Sequence, residues 1–289
     1  MAEETISQAQ AGHRPSQLGL HLGKVARRAL PVLGVIVALL CLWEGSKLIF
    51  GISDQRLPHL SAIVETMLSR TQGGSGPPLL LTMLLNAWAT FRVAFGGFVV
   101  GGLLGFSLAL LFTQVRLLER GLMPYVIGSQ TVPILAIAPM VVVGLGRLGA
   151  PDWAAKIFVA AYLTFFPVTI GMLRGLRASP AQARDLMRSY AASPAQTFWK
   201  LRLPASLPYL FTSLKVAASA SVIGAIVAEL PSGAREGIGV MILNSAQFYN
   251  SRPPALYLAI MVAGLLGVTF YGIVALAERL VLGSRRVGS

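Results

Sequence analysis

Six long apolar runs constrain this chain more than any other feature of its sequence. A helix needs about 20 residues to cross the ~30 Å hydrocarbon core of a bilayer, and each run reaches that length. Within hydrocarbon, a single segment satisfies its own backbone hydrogen bonds only as an α-helix. We therefore predict an all-α polytopic membrane protein with about six transmembrane helices, at Leu30–Phe50, Ala89–Phe112, Leu122–Gly146, Trp153–Leu173, Tyr209–Leu230 and Ala255–Leu282.

The composition agrees with a membrane protein. Apolar residues make up 55% of the chain and charged residues only 12%, about half the charged share of a soluble domain. The net charge of +13 comes from basic residues at the ends of the apolar runs and in one central loop, which argues against a nucleic-acid partner. The single cysteine, Cys41, lies inside the first run and excludes a disulfide framework.

Lysine and arginine in the short loops predict the orientation. With a cytoplasmic amino terminus, most basic residues fall on the inside. The outside segments then hold only Arg56, Arg70, Arg147, Arg235 and Arg252. We therefore predict a multi-pass protein of the bacterial inner membrane, with cytoplasmic tails at residues 1–29 and 283–289. No small-residue cleavage site follows the first run, so that run is expected to be an uncleaved span.

Two features outside the main signal also carry predictions. Residues 30–81 are expected to hold the first span and a periplasmic segment, in which apolar residues at helical spacing from Leu60 to Leu68 predict an interfacial helix. In the second span, Gly97, Gly101 and Gly105 recur on one face. Small residues at this spacing let helices approach closely, and we favour packing within one subunit over a dimer seam.

The loop between the fourth and fifth predicted spans contains the same tetrad twice. Ser179–Gln182 and Ser193–Gln196 both read Ser-Pro-Ala-Gln. Serine caps a helix, proline fits the first helical position, and a glutamine three residues after the serine can bond back to the cap. The tetrads predict two short helices, at residues 180–191 and 194–202.

These two short helices are amphipathic but cannot span a membrane. The second is expected to end at Leu203-Pro204, and the next span to start at Pro208. A basic, partly apolar helix-turn-helix of this size suits a groove on a partner protein. It equally suits an elbow lying against lipid headgroups, and the residues alone leave both readings open.

The spacing within this loop resembles a known family. Asp-Leu-Met at 185–187, Ala191 and Leu-Arg-Leu-Pro at 201–204 are spaced like the cytoplasmic EAA loop of binding-protein-dependent ABC permeases: E-A-A, three residues, Gly, nine residues, I-x-L-P. Residues 205–212 resemble the branch that serves sulfonates, taurine, nitrate and thiamine-type pyrimidines. Residues 228–230 and 237–239 resemble the outer-loop segment of that branch. The resemblance covers roughly residues 82–282.

Several positions in the loop depart from the family pattern. Asp185 replaces a glutamate, Leu186 and Met187 replace two alanines, and Ala191 replaces the glycine at the corner. Alanine costs little there with a negative φ but is strained with a positive one. The resemblance implies an ATPase-coupling loop at 179–204, with candidate residues Asp185, Leu186, Met187, Ala191, Phe198, Trp199, Leu201, Leu203 and Pro204.

The resemblance also implies the function and the partners. It implies a type I ABC importer permease whose transmembrane domain spans residues 82–282. Two copies, expected to be identical, would enclose a path. A cytoplasmic ABC ATPase dimer would grip the coupling loops, and a periplasmic binding protein would deliver a small solute. No G-x-x-x-x-G-K-[ST] string occurs in the chain, so ATP and Mg²⁺ are expected on the ATPase, and we predict no catalytic residue, metal site or cofactor in this chain.

Candidates for the translocation path or gate are ionisable groups and prolines near the spans: Arg92, Pro133, Pro139 and Glu229. Each has a plainer reading. For Arg92, we favour anchoring at the membrane interface, by about two to one, over pairing with Glu229 or binding an anionic solute. The prolines suit a break at residues 129–139, and Glu229 suits a solvated loop end equally well. Lys156 and Lys215 are expected to extend to the interface, and Glu278 to pair with Arg279 or headgroups.

Two other classes of protein are weighed against the permease. An ion-coupled secondary transporter acting without an ATPase would carry midmembrane acids or interrupted helices in an inverted repeat. The acids of the spans lie only near their ends, and no such repeat is evident in the sequence. A membrane-embedded enzyme would cluster histidines or aspartates at one membrane face, whereas the three histidines lie outside the spans.

Overall fold

The computed structural model describes residues 17–71 and 74–283, and in this part the secondary structure is helical apart from one isolated bridge between Arg70 and Pro78. The first sixteen residues of the predicted amino-terminal tail lie outside the described residues, as does nearly all of the carboxyl-terminal tail. The helices are α1 (Gln17–Phe50), α2 (Leu60–Leu68), α3 (Leu79–Gln114), α4 (Arg116–Gly128), α5 (Ile134–Arg147), α6 (Asp152–Arg177), α7 (Ala181–Ser189), α8 (Pro194–Thr197), α9 (Leu203–Glu229), α10 (Ile238–Gln247) and α11 (Pro253–Leu282).

The helices confirm the all-α membrane architecture. Five of them are long and apolar enough to cross a bilayer, and the bent pair α4–α5 brings the number to six if it forms one span. The chain divides into two compact units, residues 1–60 and residues 61–289. The predicted interfacial segment is helical from Leu60 to Leu68, as expected from its apolar spacing.

The first unit ends in a loop folded against the last turns of α1. Glu44 accepts a hydrogen bond from the backbone N–H of Leu60 at 2.8 Å, and its second oxygen lies 2.9 Å from Nδ1 of His59. The indole of Trp43 donates to the carbonyl of Pro58 at 3.0 Å. Residues 51–59 thereby satisfy polar groups at the end of the first span.

The second unit is built around α6. This helix packs most extensively against α3 and α9, and α11 packs on α9. Half of the most apolar stretch of α6 is buried, compared with 28% for α3 and for α11. One core cluster joins Ala94 of α3, Ala160 of α6 and Ala225 of α9 with Phe270 of α11. The remaining apolar surfaces of these helices suit contact with lipid.

The glycine stripe of α3 forms the contact with α6. An added Cβ would lie 2.3 Å from Ala160 at Gly97, 2.5 Å from the carbonyl oxygen of Ala161 at Gly101, and 2.4 Å from that of Phe165 at Gly105. Such distances leave no room for a side chain, so the two backbones touch. Packing within one subunit is therefore confirmed as the role of this stripe.

The third predicted span is wrong as a single helix. The segment predicted as Leu122–Gly146 instead comprises α4, a short 3₁₀ turn at Ser129–Thr131, and α5, with the two arms bent by 98°. Pro133 stands at the start of α5, and the residue before it is extended, with φ −79° and ψ 125°. A proline disfavours helical backbone in the residue that precedes it. The predicted break is thus confirmed at Pro133, whereas Pro139 lies within α5.

Candidate functional site

The loop between α6 and α9 forms an elbow, defined here as residues 179–204. The first short helix covers only Ala181–Ser189, less than predicted. The predicted end at Leu203-Pro204 is wrong, because a π turn at Phe198–Arg202 joins α8 to α9 without a break. The N–H of Leu203 bonds to the carbonyl of Phe198, five residues back. This wider turn accommodates Pro204, which lacks an N–H and crowds the carbonyl four residues before it.

The two identical tetrads adopt different structures. At the second, Gln196 N donates to Ser193 Oγ at 3.2 Å and Ser193 N donates to Gln196 Oε1 at 2.9 Å, so the predicted capping box is confirmed. At the first, helix α7 is preceded by Pro180 without a side-chain cap. The Ser179 hydroxyl is buried and has no hydrogen-bond partner among the described residues. The predicted cap at Ser179 is therefore wrong.

The corner of the elbow, at Ala191, has the backbone strain expected of an alanine with a positive φ. Ala191 has a φ of +49°. Its N–H bonds to the carbonyl of Arg188 at 2.9 Å, and the N–H of Ala192 bonds to that of Met187 at 3.0 Å. These two bonds form a Schellman motif, whose left-handed position is usually glycine. The left-handed backbone explains why the family pattern has glycine at this corner. Alanine in the same conformation destabilises the chain by about 1–2 kcal/mol.

Replacing Ala191 by glycine is expected to stabilise the chain by about 1 kcal/mol. Glycine removes the left-handed strain, but it also increases the conformational entropy of the unfolded chain, which offsets part of this stabilisation. Thermal unfolding in detergent measures the effect. Ala192→Gly is the matched control: Ala192 has no positive φ to relieve, so this variant should lose stability. Equal shifts for the two variants would contradict the strain at Ala191.

The predicted coupling residues divide into an outward and an inward group. Leu186 is 54% exposed and Trp199 is 66% exposed, and with exposed Asp185 and Ala191 they form the outward group. The half-buried inward group comprises Met187, Phe198, Leu201, Leu203 and Pro204.

Two members of the inward group attach the elbow to the spans. Phe198 and Leu203 pack against a buried cluster that includes Phe112 of α3 and Met172 of α6. The ring of Trp199 stands edge-to-face on Phe198, with centroids 5.4 Å apart. Helix α9 then continues for 27 residues, or about 40 Å, so one helix connects the elbow to the far end of the bundle.

At that far end, Glu229 is held in a buried hydrogen-bond network, called here the Glu229 network: Asn86, Thr90, Glu229, Gly237 and Gly239. Glu229 is only 2% exposed. Its carboxylate accepts from Thr90 Oγ1 at 2.7 Å and from the N–H of Gly239 at 2.8 Å. The solvated loop end is therefore wrong for Glu229, and a gate role remains a prediction.

The same network holds the start of α10. Thr90 Oγ1 accepts from the N–H of Ile238 at 2.8 Å, and Asn86 Oδ1 accepts from that of Gly237 at 2.9 Å. The first N–H groups of a helix lack partners within the helix, and here α3 and Glu229 supply them. Sequence reasoning missed Asn86 and Thr90, although two polar residues four apart in an apolar run place both on one helix face.

Beside the network lies a cavity of about 390 Å³ that is lined by Arg92, Lys156, Glu229 and Glu236 among others. Arg92 lies 3.8 Å from Glu236, and both are exposed. Two of the four path candidates, Arg92 and Glu229, thus share a cavity, whereas Pro133 and Pro139 do not line it.

The structure corrects the pairing of three ionisable side chains. Lys156 is buried and bonds to Asp152 at 2.5 Å. Lys215 bonds to Glu278 at 2.6 Å, so the predicted pairing of Glu278 with Arg279 is wrong. Among the described residues, no group of three or more histidine, cysteine, aspartate or glutamate side chains is placed to hold a metal ion.

The helical membrane bundle carries the elbow at one end of α9 and the Glu229 network at the other, and comparison with known proteins identifies the family as that of ABC transport permeases. Residues 97–282 match the family described as binding-protein-dependent transport system inner membrane component, and the chain belongs to it. Its ABC-importer permeases work with an ATPase and a binding protein, and the chain lies in the branch of the sulfonate, nitrate and thiamine-related permeases.

Individual relatives are similar over much of their length. The chain is 31% identical to the formylaminopyrimidine transport permease protein ThiX of Halalkalibacterium halodurans over 68% of this chain and 76% of that protein. It is 29% identical to the nitrate import permease protein NrtB of Leptolyngbya laminosa over 97% and 98%. A solved structure titled an amino acid ABC transporter with histidines has a TM-score of 0.56 at 17% identity, covering 69% of this chain and 94% of that one. That structure supports the fold alone.

Proposed function

We propose that this chain is the membrane-spanning subunit of an ATP-driven importer, which passes a small solute from a periplasmic binding protein into the cytoplasm. The observation that carries the proposal is the two-sided elbow. Leu186 and Trp199 are exposed on one side, while Phe198 and Leu203 are packed into the core on the other. Such an element can receive a partner and convey its movement to the spans.

The proposed assembly is supported by the family to which the chain belongs. Both termini and the elbow face the cytoplasm, as the basic loops favour, and the membrane is the bacterial inner membrane. Two identical copies enclose the path, and each elbow docks on one subunit of a cytoplasmic ATPase dimer. ATP and Mg²⁺ bind to the ATPase, and this chain has no enzymatic role.

The proposed cycle is a two-state equilibrium biased from both ends. Closure of the ATPase dimer draws the two elbows together, and α9 carries this movement to the cavity with Arg92 and Glu229. The loaded binding protein favours the same outward-open state from outside, and hydrolysis of ATP resets the bundle. Release of the Glu229 network would free the start of α10, which makes this network the proposed outer gate.

The proposed solutes are small nutrients, with sulfonate or nitrate-like anions and pyrimidine vitamin precursors as the leading classes. Support comes from the names of the relatives, which include nitrate, aliphatic sulfonate and formylaminopyrimidine permeases. Calorimetry of the partner binding protein against nitrate, an alkanesulfonate and formylaminopyrimidine selects among them.

The coupling assignment is tested by Leu186→Asp combined with Trp199→Asp. Because both side chains are exposed, the bundle should still fold, whereas two carboxylates in an apolar docking groove should lower ATPase binding at least tenfold. Co-purification of the ATPase and ATP-dependent uptake of the selected solute in liposomes measure the effect. Leu186→Met combined with Trp199→Phe keeps the apolar surface and serves as the matched control. Undiminished co-purification of the aspartate variant would remove the elbow as the docking site.

The bent pair α4–α5 is the observation that favours a secondary transporter, since interrupted helices mark that class. The same liposomes separate the two mechanisms. An importer of the proposed kind requires ATP and both soluble partners, whereas a secondary transporter moves solute with the permease alone under an ion gradient. Uptake by the permease alone would replace the proposed function with the second.

A further inference from the structure

A basic cavity of about 730 Å³ lies beside the elbow and is lined by no residue of the outward group or of the Glu229 network. Its walls come from the end of α3, from α4, from the last turn of α6, from α7 and from the π turn. They comprise Thr113, Arg116, Glu119, Arg120, Met123, Pro124, Leu176, Arg177, Arg184 and Arg202. The outward residues Leu186 and Trp199 are not among them.

The charge of this cavity is not balanced by the chain. Glu119 is occupied by Arg177, with its two oxygens at 2.8 and 2.5 Å from the guanidinium. Among the described residues, Arg116, Arg120, Arg184 and Arg202 form no ion pair. The lining thus holds five arginines and one carboxylate, Glu119, which is already bonded to Arg177, so an excess of positive charge faces one space.

The chemistry of the lining selects a phosphate group. Guanidinium groups bind phosphate oxygens in a two-pronged geometry, and four of them suit a dense anion. None of the lining residues is aromatic, so nothing is present on which a nucleobase would stack. Met123, Pro124 and Leu176 instead give one apolar side, which suits the glycerol and upper acyl part of a lipid.

The position of the cavity supports the same assignment. It lies where the apolar stretches of α3 and α6 end, at Gln114 and Arg177. That is the level of lipid headgroups for helices of spanning length. Basic cavities between transmembrane helices on the cytoplasmic side bind acidic headgroups.

We propose that this cavity binds a phosphate group, supplied by an anionic phospholipid headgroup or by free phosphate. Its occupant would link α4 to α7 and the π turn, and so brace the elbow against the bundle. Only the choice of the inner leaflet rests on the proposed function. Binding itself is a property of this chain, so the proposal can fail while the transport assignment stands.

The test uses the full chain purified in an uncharged detergent, without ATPase or binding protein. The probes are dioctanoyl phosphatidylglycerol, dioctanoyl phosphatidylcholine and inorganic phosphate, with affinity measured by calorimetry. Arg120→Gln with Arg202→Gln removes one charge from α4 and one from the π turn. This double variant should weaken binding of phosphatidylglycerol about 25-fold, at roughly fivefold for each arginine. The control with equal charge loss is Arg174→Gln with Arg279→Gln, two exposed residues outside the cavity. The affinity of this control for phosphatidylglycerol should stay within about twofold of the wild-type value.

A gain-of-binding variant keeps the test valid if the arginine variant fails to fold. Glu119→Gln releases Arg177 toward the cavity and should tighten phosphatidylglycerol binding about fivefold. Displacement of phosphatidylglycerol by millimolar inorganic phosphate supports the proposal with free phosphate as an occupant, and lack of displacement supports it with the headgroup. Equal affinity for the two lipids, or equal affinity in the two double variants, would overturn the proposal. A second preparation of the Arg120 and Arg202 variant, expressed together with the ATPase, adds one more outcome: loss of ATPase co-purification with unchanged lipid affinity would overturn the proposal and assign the cavity to the ATPase.

Discussion

Replacement of Gly101 by leucine is expected to prevent the bundle from forming its native core. An added Cβ at this position would lie 2.5 Å from the carbonyl oxygen of Ala161 and 2.7 Å from Cβ of Thr164. Backbone and a β-branched side chain cannot move aside, so α3 and α6 must separate. Overpacking of a core typically costs about 1–3 kcal/mol, and separating the most extensive helix contact in the unit places this variant at 3 kcal/mol or more by the same measure.

Gly102 provides the control within the same helix turn. No atom lies within 4 Å of an added Cβ at Gly102, so Gly102→Leu adds the same side chain to the same helix without a clash. Size-exclusion profiles in detergent after stepwise heating measure both variants. The Gly101 variant should aggregate at much lower temperature than wild type, and the Gly102 variant should not. Similar profiles for the two variants would show that the α3–α6 contact does not govern stability.

The spans were predictable because hydropathy and length are local properties. Their ends were not, since hydropathy does not mark the residue at which a helix begins: the missed start of α3, residues 79–88, is itself mostly apolar. Helix α3 begins at Leu79 instead of Ala89 and α9 at Leu203 instead of Tyr209. A helix continues beyond its predicted span for as long as its hydrogen bonds and packing continue. Where the π turn meets α9, Phe198 and Leu203 provide this packing through their contacts with the core.

The elbow marks the limit of local reasoning most directly. The same tetrad occurs twice, and only the copy at Ser193 forms a capping box. Ser179 follows the last turn of α6 and is 4% exposed, so the packing of the bundle determines its backbone and side chain. Ser193 lies in the loop between two short helices, where the local preference of the tetrad prevails.

The candidate site was predictable in its residue types but not in its contacts. Glu229 stood out as an ionisable group at the end of a span, yet its partner Thr90 is 139 residues away in the sequence. Such a pairing depends on how α3 and α9 lie beside each other. For the same reason the four unpaired arginines of the basic cavity come from α4, α7 and the π turn, and no single segment of the sequence brings them together.

Replacement of Glu229 by alanine is expected to destabilise the outer end of the bundle by about 3 kcal/mol. The change leaves the buried N–H of Gly239 without its acceptor and removes the shorter bond of the Thr90 hydroxyl, which keeps only the 3.2 Å bond to the carbonyl of Asn86. A buried group that loses its partner costs about 1–3 kcal/mol, and the lost Thr90 bond and the space left by the side chain add to that cost. Glu229→Gln should cost about half as much, because the amide keeps one oxygen acceptor but turns an N–H group toward the second donor. Thermal unfolding in detergent measures the loss.

The part of the bundle in which Glu229→Ala lowers stability distinguishes a gate from a purely structural contact. Hydrogen exchange should increase at the first turn of α10, where the N–H groups of Ile238 and Gly239 depend on this network, and should stay unchanged at the elbow about 40 Å away along α9. Glu236→Ala removes an exposed carboxylate at the same end of the bundle, and exposed pairs contribute about 0–1 kcal/mol, so this variant should resemble wild type. If exchange rises equally at both ends of α9 in Glu229→Ala, the network stabilises the whole bundle and does not serve as a local gate. If it rises at α10 alone, the free energy that holds the start of α10 in place is that of these few hydrogen bonds, as the proposed gate requires.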